Sequence, residues 1–201
     1  MSEIQYASQG AEAGTARRAM IDSQLRTCGV NEPWVLSALA SVAREDYVPA
    51  ANRAAAYIDR AVPLGNGRAL PAPLFHGKVL GAAEPTAQDK VLVVTAGSDY
   101  LAAVVARLAG SVDKIDAADL NKGLPGTGYS LILIDGAAGE VPAVLTDALA
   151  ADGRIVTGLV DKGVSRLALG RKVAGAVSYL TLADLGIPAI AELAAPKHWS
   201  F

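Results

Sequence analysis

The chain predicts an α/β fold with a doubly wound, largely parallel sheet, and three observations carry this prediction. Val91 to Val94 form a short apolar run with the length and composition of a strand that is buried on both faces. A turn at Gly97 leads from this run into an apolar-faced segment, residues 100–108, as in nucleotide-binding units. From Phe75 onward, predicted helices and strands alternate, which is typical of a parallel sheet covered on both sides.

Hydrophobic periodicity places the elements of this core. Strands are predicted at residues 91–95, 112–116, 131–135 and 154–160. Helices are predicted at residues 74–84, 98–109 and 141–151. Two further segments, residues 163–170 and 174–182, have strand composition, and we expect them to add antiparallel strands to the sheet.

The N-terminal third of the chain predicts helices followed by a loop. Thr15 is placed to cap a first helix that ends at Gly29. Asn31 is placed to cap a second helix, with Pro33 in its first turn. Residues 50–75 combine a short alanine-rich helix with a loop rich in proline and glycine, which is the kind of segment that carries function.

Length and charge limit the organisation and the partners. The 201 residues predict one domain, residues 1–201, with an N-terminal extension at 1–75 and a core at 76–201. The chain has 18 basic and 20 acidic residues and a net charge of -2, so it lacks the electrostatic signature of a nucleic-acid-binding protein. Its one cysteine, Cys28, excludes an internal disulfide and fits a reducing compartment.

No segment has the pattern of a secretory signal or of a membrane span. Residues 1–10 lack a basic start followed by an apolar run. The most apolar stretch, residues 131–151, is interrupted by acidic side chains and by Pro142. We therefore expect a cytoplasmic protein, and we expect Trp199 and Phe201 near the C-terminus to pack back onto the domain.

Many short motifs occur in an order and spacing typical of one known family. The N-terminal motifs are Arg18, Met20, Gln24-Leu25, Gly29-Val30, Val35-Leu36, Arg44-Glu45, Val48-Pro49, Tyr57 to Asp59 and Pro63 to Gly67. The later motifs are Val91-Leu92, Gly97-Ser98, Tyr100, Ala102-Ala103, Val141-Pro142, Leu145, Leu149 and Asp152 to Val156. Together they resemble the protein-L-isoaspartate O-methyltransferases. This resemblance implies a class I, Rossmann-like methyltransferase fold, S-adenosylmethionine as cofactor, and repair of isoaspartyl residues by carboxyl methylation.

The chain departs from the family pattern where the chemistry is expected. The family has Ile-Ser-Gln-Pro after its glycine loop, with the hydroxyl close to the reacting carboxylate, whereas this chain has residues 70–73, Leu-Pro-Ala-Pro. Val93 replaces the glutamate that ends the cofactor strand, and Thr95 and Asp99 replace two of the three turn glycines. Valine cannot accept a hydrogen bond, and Asp99 occupies space where a ligand needs bare backbone, although it is placed to cap the next helix.

A deletion follows the second predicted strand. Fourteen residues, 117–130, separate Asp116 from Leu131, where the resemblance implies a helix, a further strand and another connection. We therefore expect one strand and its helix to be missing. The second strand would then lie at the sheet edge, where unpaired backbone groups favour a homodimer or must be covered.

Some residues of the pattern remain. Asp116 lies 19 residues after Gly97 at a strand end, where an acid holds ribose hydroxyls in nucleotide folds, although a strand-ending acid at the solvent boundary is the alternative. Asp135 follows a predicted apolar strand, and it is either a site residue or an ordinary turn residue that ends the strand. The candidates on the cofactor side are Gly97, Ser98 and Asp116, and those on the acceptor side are Asp59, Gly65 and Gly67.

Two hypotheses of different class remain. The preferred one is a degenerate homologue that binds S-adenosylmethionine weakly or not at all and acts as a binding or assembly protein. The alternative is an active S-adenosylmethionine-dependent carboxyl methyltransferase that holds its cofactor in an unusual way. His76, His198 and Cys28 lack metal-ligand spacing, so no metal site is expected. We assign no catalytic residue from the sequence.

Overall fold

The computed structural model describes residues 3–196, with side chains from residue 12 onward. Within this range the main sheet has six strands in the order β4-β3-β5-β6-β7-β8. Their bounds are β3 (Lys90–Thr95), β4 (Ser111–Asp116), β5 (Tyr129–Ala138), β6 (Leu149–Asp161), β7 (Val164–Val173) and β8 (Ala176–Asp184). The strands β1 (Val62–Gly65) and β2 (Arg68–Leu70) form a separate antiparallel hairpin.

The helices flank this sheet. They are α1 (Glu3–Met20), α2 (Pro33–Ser41), α3 (Pro73–Ala83), α4 (Tyr100–Val105) and α5 (Ala143–Ala148). Strands β4, β3, β5 and β6 pair in parallel, while β7 and β8 add to β6 in antiparallel fashion. The predicted doubly wound α/β class and its antiparallel addition are therefore confirmed.

Alternation along the central strands builds a core on each face of the sheet. Val91 and Val93 pack with the cluster that includes α2, α3 and α4. Leu92 and Val94 pack with the opposite cluster, which includes Leu145 of α5. Successive side chains of a strand point to opposite faces, so one apolar run serves both layers.

The structure differs from the sequence prediction at the last core helix. Residues 141–151 were predicted helical, but α5 ends at Ala148 and Leu149 begins β6. Leu149 is buried and pairs with Tyr129 of β5. Strand pairing and burial therefore override the helix propensity of the neighbouring alanines.

Both predicted N-terminal caps are wrong. Thr15 lies inside α1, because the helix begins well before it. The N-cap of α2 is Glu32, not Asn31, since Pro33 is the first helical residue and holds the residue before it in an extended conformation. Gly29 does follow the first helical segment, with a φ of 77° in the left-handed region.

The predicted deletion is confirmed. Between β4 and β5 the chain forms a short 3-10 helix, Ala117–Lys122, and in the described range no strand lies beyond β4. Strand β4 thus pairs with β3 on one side and is the edge of the sheet on the other.

Some sequence expectations fall outside the described range. His198, Trp199 and Phe201 all lie beyond residue 196, and the packing of the two aromatic residues onto the domain stays a prediction. Among residues 3–196, none of the helices has both the length and the apolar character needed to cross a bilayer.

An ion pair between Asp89 and Arg154 links the start of β3 to β6, and Ser130 of β5 adds a hydrogen bond. Asp89, just before β3, accepts two hydrogen bonds of 3.0 Å from the guanidinium of Arg154 on β6. Ser130 of β5 donates to the same carboxylate at 2.7 Å, and Arg154 also donates to the carbonyl of Ala83 in α3. Burial would raise the pKa of Asp89, but Arg154, Ser130 and Thr86 hold it well below its usual value.

We predict that Asp89→Asn lowers the free energy of unfolding by about 2 kcal/mol, because it leaves the guanidinium of Arg154, which is 16% exposed, without its counter-charge. The matched control is Asp161→Asn at an exposed ion pair, for which we expect a change of at most about 0.5 kcal/mol. Urea unfolding measures both.

The same pair predicts a pH dependence. Since the folded pKa of Asp89 lies below its unfolded value, the stabilisation is complete above about pH 4 and is lost as the pH falls towards the folded value. Equal acid sensitivity of the wild type and Asp89→Asn would contradict this role.

Candidate functional site

The candidate site lies at the carboxyl ends of β3, β4 and β5. Because β4 and β5 lie on opposite sides of β3, the strand order reverses here, and α/β sheets bind ligands in such crevices. The β1–β2 hairpin crosses this end, with its turn at Asn66 and Gly67 in the left-handed region. Among the described residues, one cavity of about 630 Å³ and one of about 80 Å³ open here.

Asp116, the predicted ribose acid, ends β4 and already has protein partners. Arg68 of β2 donates to both of its oxygens, from Nη1 to Oδ2 at 2.8 Å and from Nη2 to Oδ1 at 2.9 Å. The backbone amides of Gly97 and Ala118 add hydrogen bonds of 3.2 and 3.0 Å. Four donors of the protein thus occupy the carboxylate to which ribose hydroxyls would bind.

The same arginine also binds an acid from the C-terminal segment. Arg68 Nη2 donates to Glu192 Oε1 at 2.5 Å. Burial opposes ionisation of Asp116, but Arg68 and the two amides hold its pKa below the usual value. The Arg68 hydrogen bond lowers the pKa of Glu192, and the two acids raise that of Arg68. All three groups are therefore charged near neutral pH.

Gly97 has the backbone expected of a nucleotide-binding turn, and it is exposed and lines the larger cavity. Its φ of 91° favours glycine, and its N–H donates to Asp116. A Cβ at this position would lie 3.2 Å from Cδ of Arg68 and 3.6 Å from Cδ1 of Leu64. The β1–β2 hairpin therefore packs against one side of Gly97, where a side chain would meet Arg68 and Leu64.

Ser98, and not Asp99, accepts the hydrogen bond from the first amide of α4. Ser98 Oγ accepts from the amide of Tyr100 at 3.4 Å and donates to the carbonyl of Tyr47 at 3.2 Å. Asp99 makes no capping hydrogen bond and instead forms an ion pair with Lys114 on β4. The predicted capping role of Asp99 is wrong, because the opposite charge on the neighbouring strand attracts its carboxylate.

The predicted acceptor-side residues do not come together. Asp59 is exposed and accepts from the amide of Leu74 at the start of α3, outside the lining of both cavities. Gly65 and Gly67 lie in the hairpin turn with positive φ, and Gly67 lines the smaller cavity. Gly65 and Gly67 thus shape the hairpin, while Asp59 helps to begin a helix.

Three buried polar side chains, Arg44, His76 and Asp135, form a hydrogen-bonded triad that the sequence did not predict. His76 of α3 is fully buried, with Nε2 2.8 Å from Oδ1 of Asp135 and Nδ1 3.0 Å from Nη1 of Arg44. Arg44 also donates to the carbonyls of Ala56, at 2.7 Å, and of Pro71. Asp135 is therefore a buried, hydrogen-bonded strand residue and not an ordinary turn acid, and Pro71 contributes its carbonyl where the family pattern has a hydroxyl side chain.

One signal could have revealed this triad. Asp135 directly follows the apolar strand residues 131–134, and His76 lies within the apolar helix α3. Charged or titratable side chains in such buried segments need partners. Sequence spacing, however, could not pair residues that lie 59 positions apart.

Two features of the site differ from what the cofactor implied by the resemblance would require. Ribose would have to displace Arg68 from Asp116, and Val93 offers no hydrogen-bond acceptor at the end of the cofactor strand. Within the described part of the chain, no group of three or more His, Cys, Asp or Glu side chains is arranged to hold a metal ion.

Comparison with known proteins identifies a family. The model of protein-L-isoaspartate(D-aspartate) O-methyltransferase matches residues 15–125. The protein-L-isoaspartate O-methyltransferase of Methanoregula boonei is 33% identical over 165 residues, covering 70% of this chain and 76% of that protein. The one from Koribacter versatilis is 30% identical over 193 residues, covering 84% and 87%.

Solved structures agree on the fold. The Plasmodium falciparum structure described as a protein-L-isoaspartate O-methyltransferase in complex with S-adenosyl-L-homocysteine superposes with a TM-score of 0.70 at 18% identity. The match covers 88% of this chain and 98% of that one. A second protein-L-isoaspartate O-methyltransferase structure also gives a TM-score of 0.70, at 14% identity, and covers 88% of this chain and 67% of that one.

We predict that His76 stays neutral and carries its proton on Nε2. Burial lowers the pKa of His76, although Asp135 opposes this effect. Nitrogen-15 NMR should therefore show a protonated Nε2 and an unprotonated Nδ1 from pH 8 to about pH 5.5. His76→Gln identifies the signal against that of His198, and a doubly protonated ring at pH 7 would refute the assignment.

Proposed function

Because this chain belongs to the protein-L-isoaspartate O-methyltransferase family, we propose that it is a homologue without efficient S-adenosylmethionine-dependent catalysis, acting as a binding or assembly protein. One observation carries this proposal: Arg68 donates to both oxygens of Asp116. The carboxylate that a ribose would use, together with the Gly97 amide that donates to it, is therefore engaged within the protein.

The energetic consequence for cofactor binding is large. A ribose would have to replace charge-assisted hydrogen bonds, each of which contributes about 1.5 to 3 kcal/mol. Arg68 and Asp116 are 24% and 28% exposed, so solvent screening reduces the cost, and we expect a loss of about 2 kcal/mol. Such a loss weakens binding by more than tenfold. Val93 and the missing strand remove further contacts.

A second candidate is an active S-adenosylmethionine-dependent carboxyl methyltransferase. The relatives named above are all called methyltransferases, so the comparisons favour this candidate over a loss of activity. A cavity of about 630 Å³ is also retained beside Thr95, Gly97 and Asp116. A carboxylate is already a nucleophile and positioning supplies most of the rate, so the absence of a hydroxyl at Pro71 is compatible with activity.

Assembly through a sheet edge is part of the proposal. The free edge strand β4 carries Asp113, Lys114 and Asp116, and charged side chains oppose edge pairing. Strand β8, at the other edge, has no charged residue from 176 to 183 and exposes Leu180 by 63%. We therefore propose that a homodimer forms through the edge strand β8 and not through β4.

We predict that calorimetry gives a dissociation constant in the millimolar range for wild-type protein with S-adenosylhomocysteine. Arg68→Ala should bind at least about tenfold more tightly, because it frees the carboxylate of Asp116. Arg171→Ala, at an exposed position of β7, is the matched control and should behave like the wild type.

Adding Asp116→Asn to Arg68→Ala should remove the gain, since the freed carboxylate is its source. Wild-type binding in the tens of micromolar or tighter would overturn the proposal. Methyl transfer to isoaspartyl peptides would then test the second candidate directly.

We predict that the wild type sediments as a dimer at tens of micromolar and that Leu180→Lys shifts it to monomer. The introduced charge would lie on the edge strand that pairs with the second copy. Ser111→Lys, on the exposed start of β4, should leave the dimer intact. A wild type that sediments as a monomer would exclude this surface.

A further inference from the structure

The smaller cavity is distinct from the nucleotide crevice. It has a volume of about 80 Å³ and lies between the turn of the β1–β2 hairpin and residues 188–192. Its lining includes Gly67, Arg68, Ala96, Asp135, Ile190 and Glu192. A water molecule occupies about 30 Å³ of the liquid, so this cavity suits a group of only a few non-hydrogen atoms.

Asp135 presents an uncommitted oxygen to this cavity. The residue is 2% exposed, and Oδ1 binds His76 on the side away from solvent. Among the described side chains, Gln24 Oε1 is the one sealed polar atom without a partner. Oδ2 of Asp135, for which no protein hydrogen bond is seen in the described residues, is therefore reachable from the cavity.

The hydrogen-bond chain fixes the charge of this carboxylate. Arginine can only donate, so Nδ1 of His76 accepts from Arg44 and Nε2 carries the proton that His76 donates to Asp135. Arg44 is fully buried, and a buried cation requires a counter-charge. Asp135, reached through His76, provides it as an ionised carboxylate.

Asp135 shares its charge with Arg44 through His76, but the charged side chains that line the cavity itself, one arginine and two acids, leave an excess of negative charge there. Arg68 is already engaged with Asp116 and Glu192, and Glu192 adds a second negative charge to the lining. The cavity therefore attracts a cation with N–H donors and repels a carboxylate. Its remaining lining is largely alanine, proline and isoleucine, which suits a short alkyl group.

We propose that this cavity binds a small primary ammonium group, with Asp135 as the direct ligand and His76 as the residue that positions it. Such a site would disfavour a carboxylate in the same cavity. The proposal does not depend on whether the larger crevice binds S-adenosylmethionine, because none of its steps involves that ligand.

Nitrogen-15 NMR of the full chain tests this proposal. The probe is methylammonium chloride, observed through the Nε2–H resonance of His76, with potassium chloride at equal ionic strength as reference. We expect a saturable shift with a dissociation constant of roughly 10 mM, which is near the limit for a ligand of two non-hydrogen atoms. Tetramethylammonium, which has no N–H donor, and acetate should give no saturable shift.

Two variants locate the binding site. Asp135→Asn should weaken methylammonium binding at least tenfold, because it removes the charge and preserves the shape. Since this change also affects Arg44, Ala69→Leu supplies an independent test: it fills the cavity without altering any charge. Ala143→Leu, at an exposed site on α5, is its control.

Saturable binding of acetate, absence of methylammonium binding to the wild type, or undiminished binding to Ala69→Leu would overturn the proposal.

Discussion

The parallel pairing of β3 with β4 on one side and β5 on the other is the constraint on which the site depends. It aligns Thr95 with Asp116 and Val94 with Ile134, the residue before Asp135. Two acids therefore emerge at the same end of the sheet on either side of the central strand. Burial of β3 on both faces fixes this register, because a shift by one residue would exchange the side chains of the two cores.

Each of these acids acquires a partner from outside the sheet, and the two partners have opposite consequences. Arg68 reaches Asp116 from the β1–β2 hairpin and donates to both of its oxygens. His76 reaches Asp135 from α3 and donates to one oxygen, while Asp135 also lines a small cavity. One acid is thus fully engaged within the protein, and the other keeps an oxygen without a protein partner among the described residues.

The shortened connection after β4 has a structural effect beyond the crevice. With a 3-10 helix in place of a strand and helix, β4 becomes a sheet edge, and its charged side chains find partners within the chain. At the opposite edge, β8 exposes apolar side chains and carries no charge over most of its length. The homodimer that we propose therefore depends on the composition of the two edge strands and not on the deletion itself.

The sequence by itself determined the fold class, the positions of the core strands along the chain and the missing strand. Strands buried on both faces leave continuous apolar runs in the sequence, and the deletion leaves a short connection between two of them. It also singled out Gly97, Ser98 and Asp116. Only the tertiary structure decided what those residues do, since Arg68 lies 48 positions from Asp116 and His76 lies 59 from Asp135. Periodicity and turn chemistry are local, whereas the partner of a buried charge is set by how distant elements pack.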